Sequence, residues 1–323
     1  MRPVLLVVMD GVGLREETEG NAFKQADTPN LGRLMARNGF AKLEASGPAV
    51  GLPEGYTGNS EVGHLHLGAG RRIDQRLKRI NNTIENNELR EKEALKNSLE
   101  RAEENNSAVH IAGIISDGGI HGHTDHLKAL MEISGEYDVE VKIHCFTDGR
   151  DVAPKSAEKF LEKIEGWTEE FGGEIASITG RFYSMDRDHN WDRTEKAYRA
   201  MAEGEGFEFS DPREALEETY EDGDYDYFTV PGTRKGYSGM EDEDELIFYN
   251  FRADRERQIV RTFLDVDFDK FENSVNPNFT SVFRYHHDFE NPVLFEKQIV
   301  ENTLGEKIED AGMRQLRVAE SQK

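Results

Sequence analysis

The chain has 323 residues and a mass of 36.7 kDa, enough for about two domains. No apolar run approaches the roughly 20 residues a membrane-spanning helix needs, and the run at residues 4–9 is too short for a signal-peptide core. The 64 acidic residues against 40 basic ones give a net charge of -24 spread along the chain, which argues against a surface for nucleic acid.

The single cysteine, Cys145, excludes an internal disulfide framework and fits a reducing cytoplasm. Lysine is scarcer than arginine. Dense, dispersed acid with little lysine suits a protein of a high-salt cytoplasm, and equally an ordinary acidic enzyme.

The apolar run at residues 4–9 ends at Asp10-Gly11-Val12-Gly13 and reads as a strand buried on both faces. Thr28-Pro29 opens a helix, with threonine as cap and proline at the first position. A glycine-punctuated stretch, residues 47–70, carries Gly58-Asn59-Ser60-Glu61-Val62-Gly63-His64, and an amphipathic helical region follows at about 73–105. Strands are predicted at 109–115, 139–146, 174–179 and 246–251. Helices are predicted around Leu127, Leu130, Met131 and Ile133, from Ser156, and through Tyr198. Repeated strand, polar turn and helix imply βαβ units, an α/β fold and a mostly parallel sheet.

Charged turns at Asp10, 117–123, 148–151, 181–187 and 252–255 each follow a predicted strand. Carboxyl ends of strands are where open α/β sheets gather ligands. Asp10 is there either a rigidly held ligand for a hard metal or a turn carboxylate. Ser60, between Gly58 and Gly63, is either a turn serine or a hydroxyl exposed for attack, which would need a base or metal to activate it. His121 and His123 are either loop histidines or a weak metal pair, in a glycine loop able to approach a ligand closely. Arg150, Arg181, Arg187, Arg252 and Arg255 either pair singly with Asp151, Asp186, Asp188 and Asp254, or together bind a small phosphorylated acid.

These motifs resemble a known family. Met9-Asp10-Gly11, Gly20-Asn21-Ala22, Thr28-Pro29-Asn30-Leu31 and Gly58-Asn59-Ser60-Glu61-Val62-Gly63-His64 are similar to those of the cofactor-independent (2,3-bisphosphoglycerate-independent) phosphoglycerate mutases. So are Ser116-Asp117-Gly118-Gly119-Ile120-His121, Asp148-Gly149-Arg150-Asp151, Gly180-Arg181-Phe182-Tyr183, Met185-Asp186-Arg187-Asp188 and Asn250-Phe251-Arg252-Ala253-Asp254-Arg255. The resemblance runs through the whole chain in order.

It implies an alkaline-phosphatase-like domain interrupted by an inserted α/β transferase domain, which interconverts 3- and 2-phosphoglycerate through a phosphoserine and without bisphosphoglycerate. The implied boundaries are 1–75 for the first part of the phosphatase-like domain, 76–305 for the transferase domain and 306–323 for the return crossover. By the same resemblance, Asp10 and Ser60 are ligands of one of two Mn2+ ions and Ser60 is the nucleophile. His121, Arg150, Asp151, Arg181, Arg187, Arg252, Arg255 and Lys323 hold the substrate, and Asp151 is the expected proton carrier. Two features depart from the family pattern: Tyr56-Thr57 stand where Gln-Met is usual, and the chain stops where family members continue with most of the metal ligands. The expectation is a fragment, one half of a split enzyme completed by a separate chain, or a non-catalytic phosphoglycerate-binding module.

Overall fold

The computed structural model describes residues 3–319. Two compact units divide the chain: Met1–Lys78 with Ile299–Lys323, and Arg79–Gln298. These divisions fall close to, but not at, the sequence boundaries 75/76 and 305/306.

The second unit is built on a seven-stranded sheet. Its strands are β1 (Ala108–Ile114), β2 (Glu140–Thr147), β3 (Glu174–Gly180), β4 (Phe207–Phe209), β5 (Gly232–Arg234), β6 (Glu245–Phe248) and β7 (Asn278–Ser281). The order is β4-β5-β3-β2-β1-β6-β7, parallel throughout except where β5 runs antiparallel to β3. β1, β2 and β3 are almost wholly buried, as expected of central strands covered on both faces by helices. Register aligns Ile114 with Phe146, Phe146 with Thr179, and Ala112 with Phe248. The turns that leave β1, β2, β3 and β6 therefore emerge along one edge of the sheet.

Packing explains where the elements stop. β6 ends at Phe248 rather than at residue 251: Tyr249 N still donates to Ala112 O, but the next β1 donor, Ile114 N, is taken by the Asn250 side chain. A Cβ on Gly113 would stand 2.6 Å from the Tyr249 ring. Only glycine fits at 113. The helical region after residue 73 divides into Arg76–Glu85, a short turn at Leu89–Glu91 and Glu93–Asn105. The last of these turns Leu95, Leu99 and Ala102 inward at helical spacing.

A polar chain crosses the buried sheet. Asp244 Oδ2 lies 3.1 Å from His110 Nε2, His110 Nδ1 lies 2.9 Å from His144 Nε2, and His144 Nδ1 lies 2.8 Å from Ser177 Oγ. Two neutral imidazoles satisfy all three bonds if each donates toward Asp244 and Ser177 donates to His144. Burial pushes both imidazoles below their ordinary pKa, at His110 despite the adjacent Asp244 carboxylate.

The first unit differs from the sequence expectation at its start. Residues 3–9 form no strand, and Val4 and Leu5 are 95 % and 86 % exposed. An extended apolar segment becomes a strand only when a neighbour completes its backbone ladder, and none among the described residues does. The helix Pro29–Arg37 forms with proline at its start, but Thr28 makes no side-chain cap bond and the helix buries no residue. The Ser60–Ala69 helix is capped by Asn59, whose side chain accepts from Val62 N. Gly58 ahead of it is obligatory, since a Cβ would stand 1.8 Å from Ala45 O, whereas Gly63 lies in open space within the helix. The Leu304–Asp310 helix starts in a full capping box of Thr303 and Glu306.

Acid should weaken the fold before carboxylates titrate. His121 and His126 are held down to about 3, chiefly by burial, so the native state keeps them neutral while the unfolded chain protonates below about 6.5. Their contribution is fully present above that pH and is lost as pH falls toward 3. At pH 5 each should cost about 2 kcal/mol, measurable as a drop in urea-unfolding free energy between pH 7.5 and 5. Equal stability at the two pH values would contradict the buried neutral imidazoles.

Candidate functional site

Asp10 and Ser60, 50 positions apart, come together in the first unit. Ser60 Oγ donates to Asp10 Oδ2 at 2.5 Å. The serine stands at the first position of its helix, where free N–H groups and the helix dipole favour negative charge on a ligand or side chain. His64, one turn on, lies 3.3 Å from Ser60 Oγ and 2.8 Å from Ser60 O through Nδ1. That i, i+4 spacing was legible in the sequence, although His64 was not singled out. The Asp10–Ser60 pair offers two hard oxygen donors, which suits manganese or magnesium and fills only part of such an ion's shell.

The second constellation lies along the sheet edge of the second unit. Its centre is Asp148, which the sequence placed in a turn without assigning it a role. Asp148 Oδ2 accepts from Ser116 Oγ at 2.7 Å. Its Oδ1 accepts from the backbone N–H groups of Arg150 and Asp151, both at 3.1 Å, and from Arg181 Nη1 at 2.5 Å. Arg181 Nη1 also donates to Asp151 Oδ2 at 2.7 Å. Only 1 % of Arg181 is exposed. Burial works against its charge, but Asp148 and Asp151 more than offset it and raise its pKa. Arg181 is thus held between two carboxylates.

The other arginines are placed differently. Asp254 is shared by Arg187, at 2.8 Å, and Arg252, at 2.9 Å. Arg255 donates to the Met185 carbonyl at 3.1 Å. Burial and the charges of Arg181 and Arg187 pull the Arg255 guanidinium below its ordinary pKa, the signature of crowded cations. The exposed Arg150 guanidinium makes no ion pair among the described residues. Asp186 pairs with none of these five, being taken by Asn190, Gln258 and Arg193.

His121 is buried, with Nε2 3.9 Å from Asp151 Oδ2 and its backbone carbonyl accepting from Phe251 N at 2.7 Å. Burial and the charges of Arg181, Arg252 and Arg255 hold it neutral. His123 is elsewhere engaged, accepting from Asp125 N at 3.1 Å as the cap of the Thr124–Ser134 helix, so the two histidines form no metal pair. The loop glycines serve the protein's own packing: a Cβ on Gly122 would stand 2.5 Å from Asn250 Oδ1. Asn250 in turn accepts from Ile114 N at 2.9 Å and donates to the buried Glu256 at 3.0 Å. Burial pushes the Glu256 carboxyl up to about 8. Sequence reading missed both residues, for which buried polar positions flanking an arginine turn are the only signal.

Among the described residues, three buried polar atoms at this edge lack any partner, His121 Nδ1, Arg181 Nε and Glu256 Oε2, while Asp254 Oδ1 has its ion pair with Arg252 Nε at 2.9 Å. Native proteins leave few such atoms, and a gathering of them makes this edge a candidate site. Lys323 lies outside the described residues. Cys145 is buried, and burial raises its thiol pKa far above the ordinary value, so it is inert.

The two kinds of arginine should separate in unfolding experiments. Arg181→Leu leaves Asp148 buried and uncompensated and should lower stability by about 3–5 kcal/mol. Arg150→Ala should stay within about 0.5 kcal/mol. Comparable losses for the two variants would refute the assignment of Arg181 to the scaffold.

Residues 80–287 match the family model described as the BPG-independent PGAM N-terminus. Along its whole length the chain is 45 % identical to the 2,3-bisphosphoglycerate-independent phosphoglycerate mutase of Moorella thermoacetica, covering 64 % of that protein. It is 42 % identical to the enzyme of the same name from Clostridium botulinum, covering 65 %. It therefore spans a little under two thirds of these relatives. Among solved structures, Leishmania mexicana phosphoglycerate mutase at low cobalt concentration matches with a TM-score of 0.73 and 29 % identity, over 90 % of this chain and 56 % of the other. The family match, the parallel sheet and the arginine-lined edge agree, and the chain belongs to the BPG-independent phosphoglycerate mutase family.

Proposed function

We propose that this chain carries the substrate-holding part, and the nucleophile, of an enzyme that interconverts 3- and 2-phosphoglycerate without bisphosphoglycerate. The observation that carries this reading is the surplus of cation at one sheet edge of a chain with net charge -24. Among the described residues Arg150 and Arg255 have no carboxylate partner there, while Arg187 and Arg252 share one. A dianionic phosphate and a carboxylate are the ligands such a cluster suits, and an otherwise acidic surface focuses small anions onto it.

In this reading the unit Arg79–Gln298 is the transferase domain, and the other unit belongs to the phosphatase-like domain. Arg150, Arg187, Arg252, Arg255 and His121 hold the phosphoglycerate, with Arg181 fixing the edge and Lys323 a further contact. Ser60, its proton released to water, bonds through oxygen to phosphorus as the bond from phosphorus to the glycerate oxygen breaks, and the released glycerate oxygen becomes a hydroxyl by taking a proton carried by Asp151. The clamped glycerate reorients, and its other hydroxyl gives up a proton as it takes the phosphoryl group back. Asp10 and Ser60 would hold one of two manganese ions, and a divalent cation there supplies the charge that favours ionised Ser60. Two oxygen donors complete neither ion's shell, so we infer that further ligands come from other residues of the gene product or from a separate chain. The same reading places the protein in a cytoplasm, and its acidic, lysine-poor composition in one rich in salt.

Calorimetry of 3-phosphoglycerate with the purified chain tests this. Ser60→Ala should bind as the parent does, while Arg255→Ala should bind about ten- to a hundredfold more weakly, as loss of charged hydrogen bonds implies. Loss of binding in Ser60→Ala would overturn the division of labour. Conversion of 3- to 2-phosphoglycerate with manganese and high salt separates the two remaining versions: turnover supports a self-sufficient catalyst, and binding without turnover a clamp alone. The salt reading predicts a Tm that falls as molar salt is reduced to physiological levels, because acidic repulsion is less screened.

A further inference from the structure

The described residues bring together one more group of metal-binding side chains, in the turn that follows β7. His286, His287 and Asp288 each offer a donor atom, and these atoms all lie within 4.8 Å of one another. The Asp288 carboxylate reaches both rings, with Oδ2 3.2 Å from His286 Nδ1 and Oδ1 3.1 Å from His287 Nε2. In a tetrahedral zinc shell with bonds of about 2.1 Å, neighbouring ligand atoms stand about 3.4 Å apart. Both separations are already close to the edge of such a shell. The ring centroids are 4.2 Å apart; His286 Nδ1 faces Oδ2 and also accepts from Asp288 N at 3.4 Å, whereas His287 Nε2 faces Oδ1.

The turn is fixed at both ends. Tyr285 and Phe289 are buried in the core of the unit. Tyr285 OH donates to Asn250 O at 2.6 Å, and its carbonyl accepts from Arg257 Nε at 2.9 Å. Phe289 N closes the turn on His286 O at 3.2 Å. Folding has therefore already gathered the three donors, and binding an ion needs little further ordering. His287 and Asp288 are exposed, which leaves room for water to complete the shell.

We propose that His286, His287 and Asp288 form a surface site for a borderline divalent transition ion of the zinc class. Two imidazole nitrogens and one carboxylate select zinc, cobalt, nickel or copper over magnesium and manganese, which prefer all-oxygen shells. The site uses no residue assigned to phosphoglycerate or to the Asp10–Ser60 pair.

Zinc titration of the full chain by calorimetry, in about 0.5 M NaCl to screen the acidic surface, decides the matter. Parent and Asp10→Ala should each bind one equivalent at His286–Asp288 at pH 7.5. His287→Ala and Asp288→Asn, at exposed positions that spare the fold, should bind it at least about tenfold more weakly. Magnesium should not bind in place of zinc at this equivalent. Unchanged zinc affinity in both His287→Ala and Asp288→Asn would overturn the proposal, as would loss of all zinc binding in Asp10→Ala. Because phosphoglycerate binding is measured separately, either reading can fail without the other.

Discussion

A guanidinium with no access to water has to be neutralised where it stands, and the functional edge of this protein is organised by that requirement. Arg181, at the end of β3, meets Asp148, at the end of β2, and the same carboxylate takes the Ser116 hydroxyl from the end of β1. Asp148 also receives the N–H groups of Arg150 and Asp151, which fixes the turn bearing both. One carboxylate thus ties three neighbouring strand ends together. Without Arg181 it would be a buried charge with no counterion, which is why the pair is more costly to break than its Coulomb attraction alone suggests.

With that carboxylate committed, the balance of charge at the edge turns positive. Asp254 is divided between Arg187 and Arg252, and among the described residues Arg255 hydrogen-bonds a backbone carbonyl and no carboxylate. His121, buried beside these cations, stays neutral and adds no further charge. A cationic patch at one edge of a strongly acidic chain is where the field would favour a small anion. Behind the arginines, Asn250 and Glu256 hold their turn against the end of β1.

Much of the fold was legible because the central strands are long, apolar and bounded by turn residues. β1, β2 and β3 lie within a residue or so of their predicted limits, and Ser156 does precede a helix. β4 and β5, three residues each, carry no periodic signal and form only because the sheet offers them an edge. The run at residues 4–9 has the composition of a central strand, yet composition cannot supply the neighbour that makes a strand. The single helical stretch after residue 73 broke for the converse reason. Its polar positions were compatible with one helix, and the break at Leu89–Glu91, where Leu89 is buried, is set by packing.

The site divides in the same way. By itself the sequence determined which residue types stand at strand ends, that Asp10 precedes a glycine turn, and that Ser60 and His64 occupy one motif. It also determined the family, since matched motifs run the length of the chain in order. Only the tertiary structure decided that Arg181 is buried between Asp148 and Asp151 while Arg150 and Arg255 pair with no carboxylate among the described residues, that Asp148 is the hub, and that His123 caps a helix instead of joining His121. The physical reason is that an arginine's task depends on which carboxylates lie within about 3 Å of it and on how much water it has lost. Both are set by strand order and register, which bring residues 116, 148, 181 and 255 to one edge although no local pattern in the chain relates them.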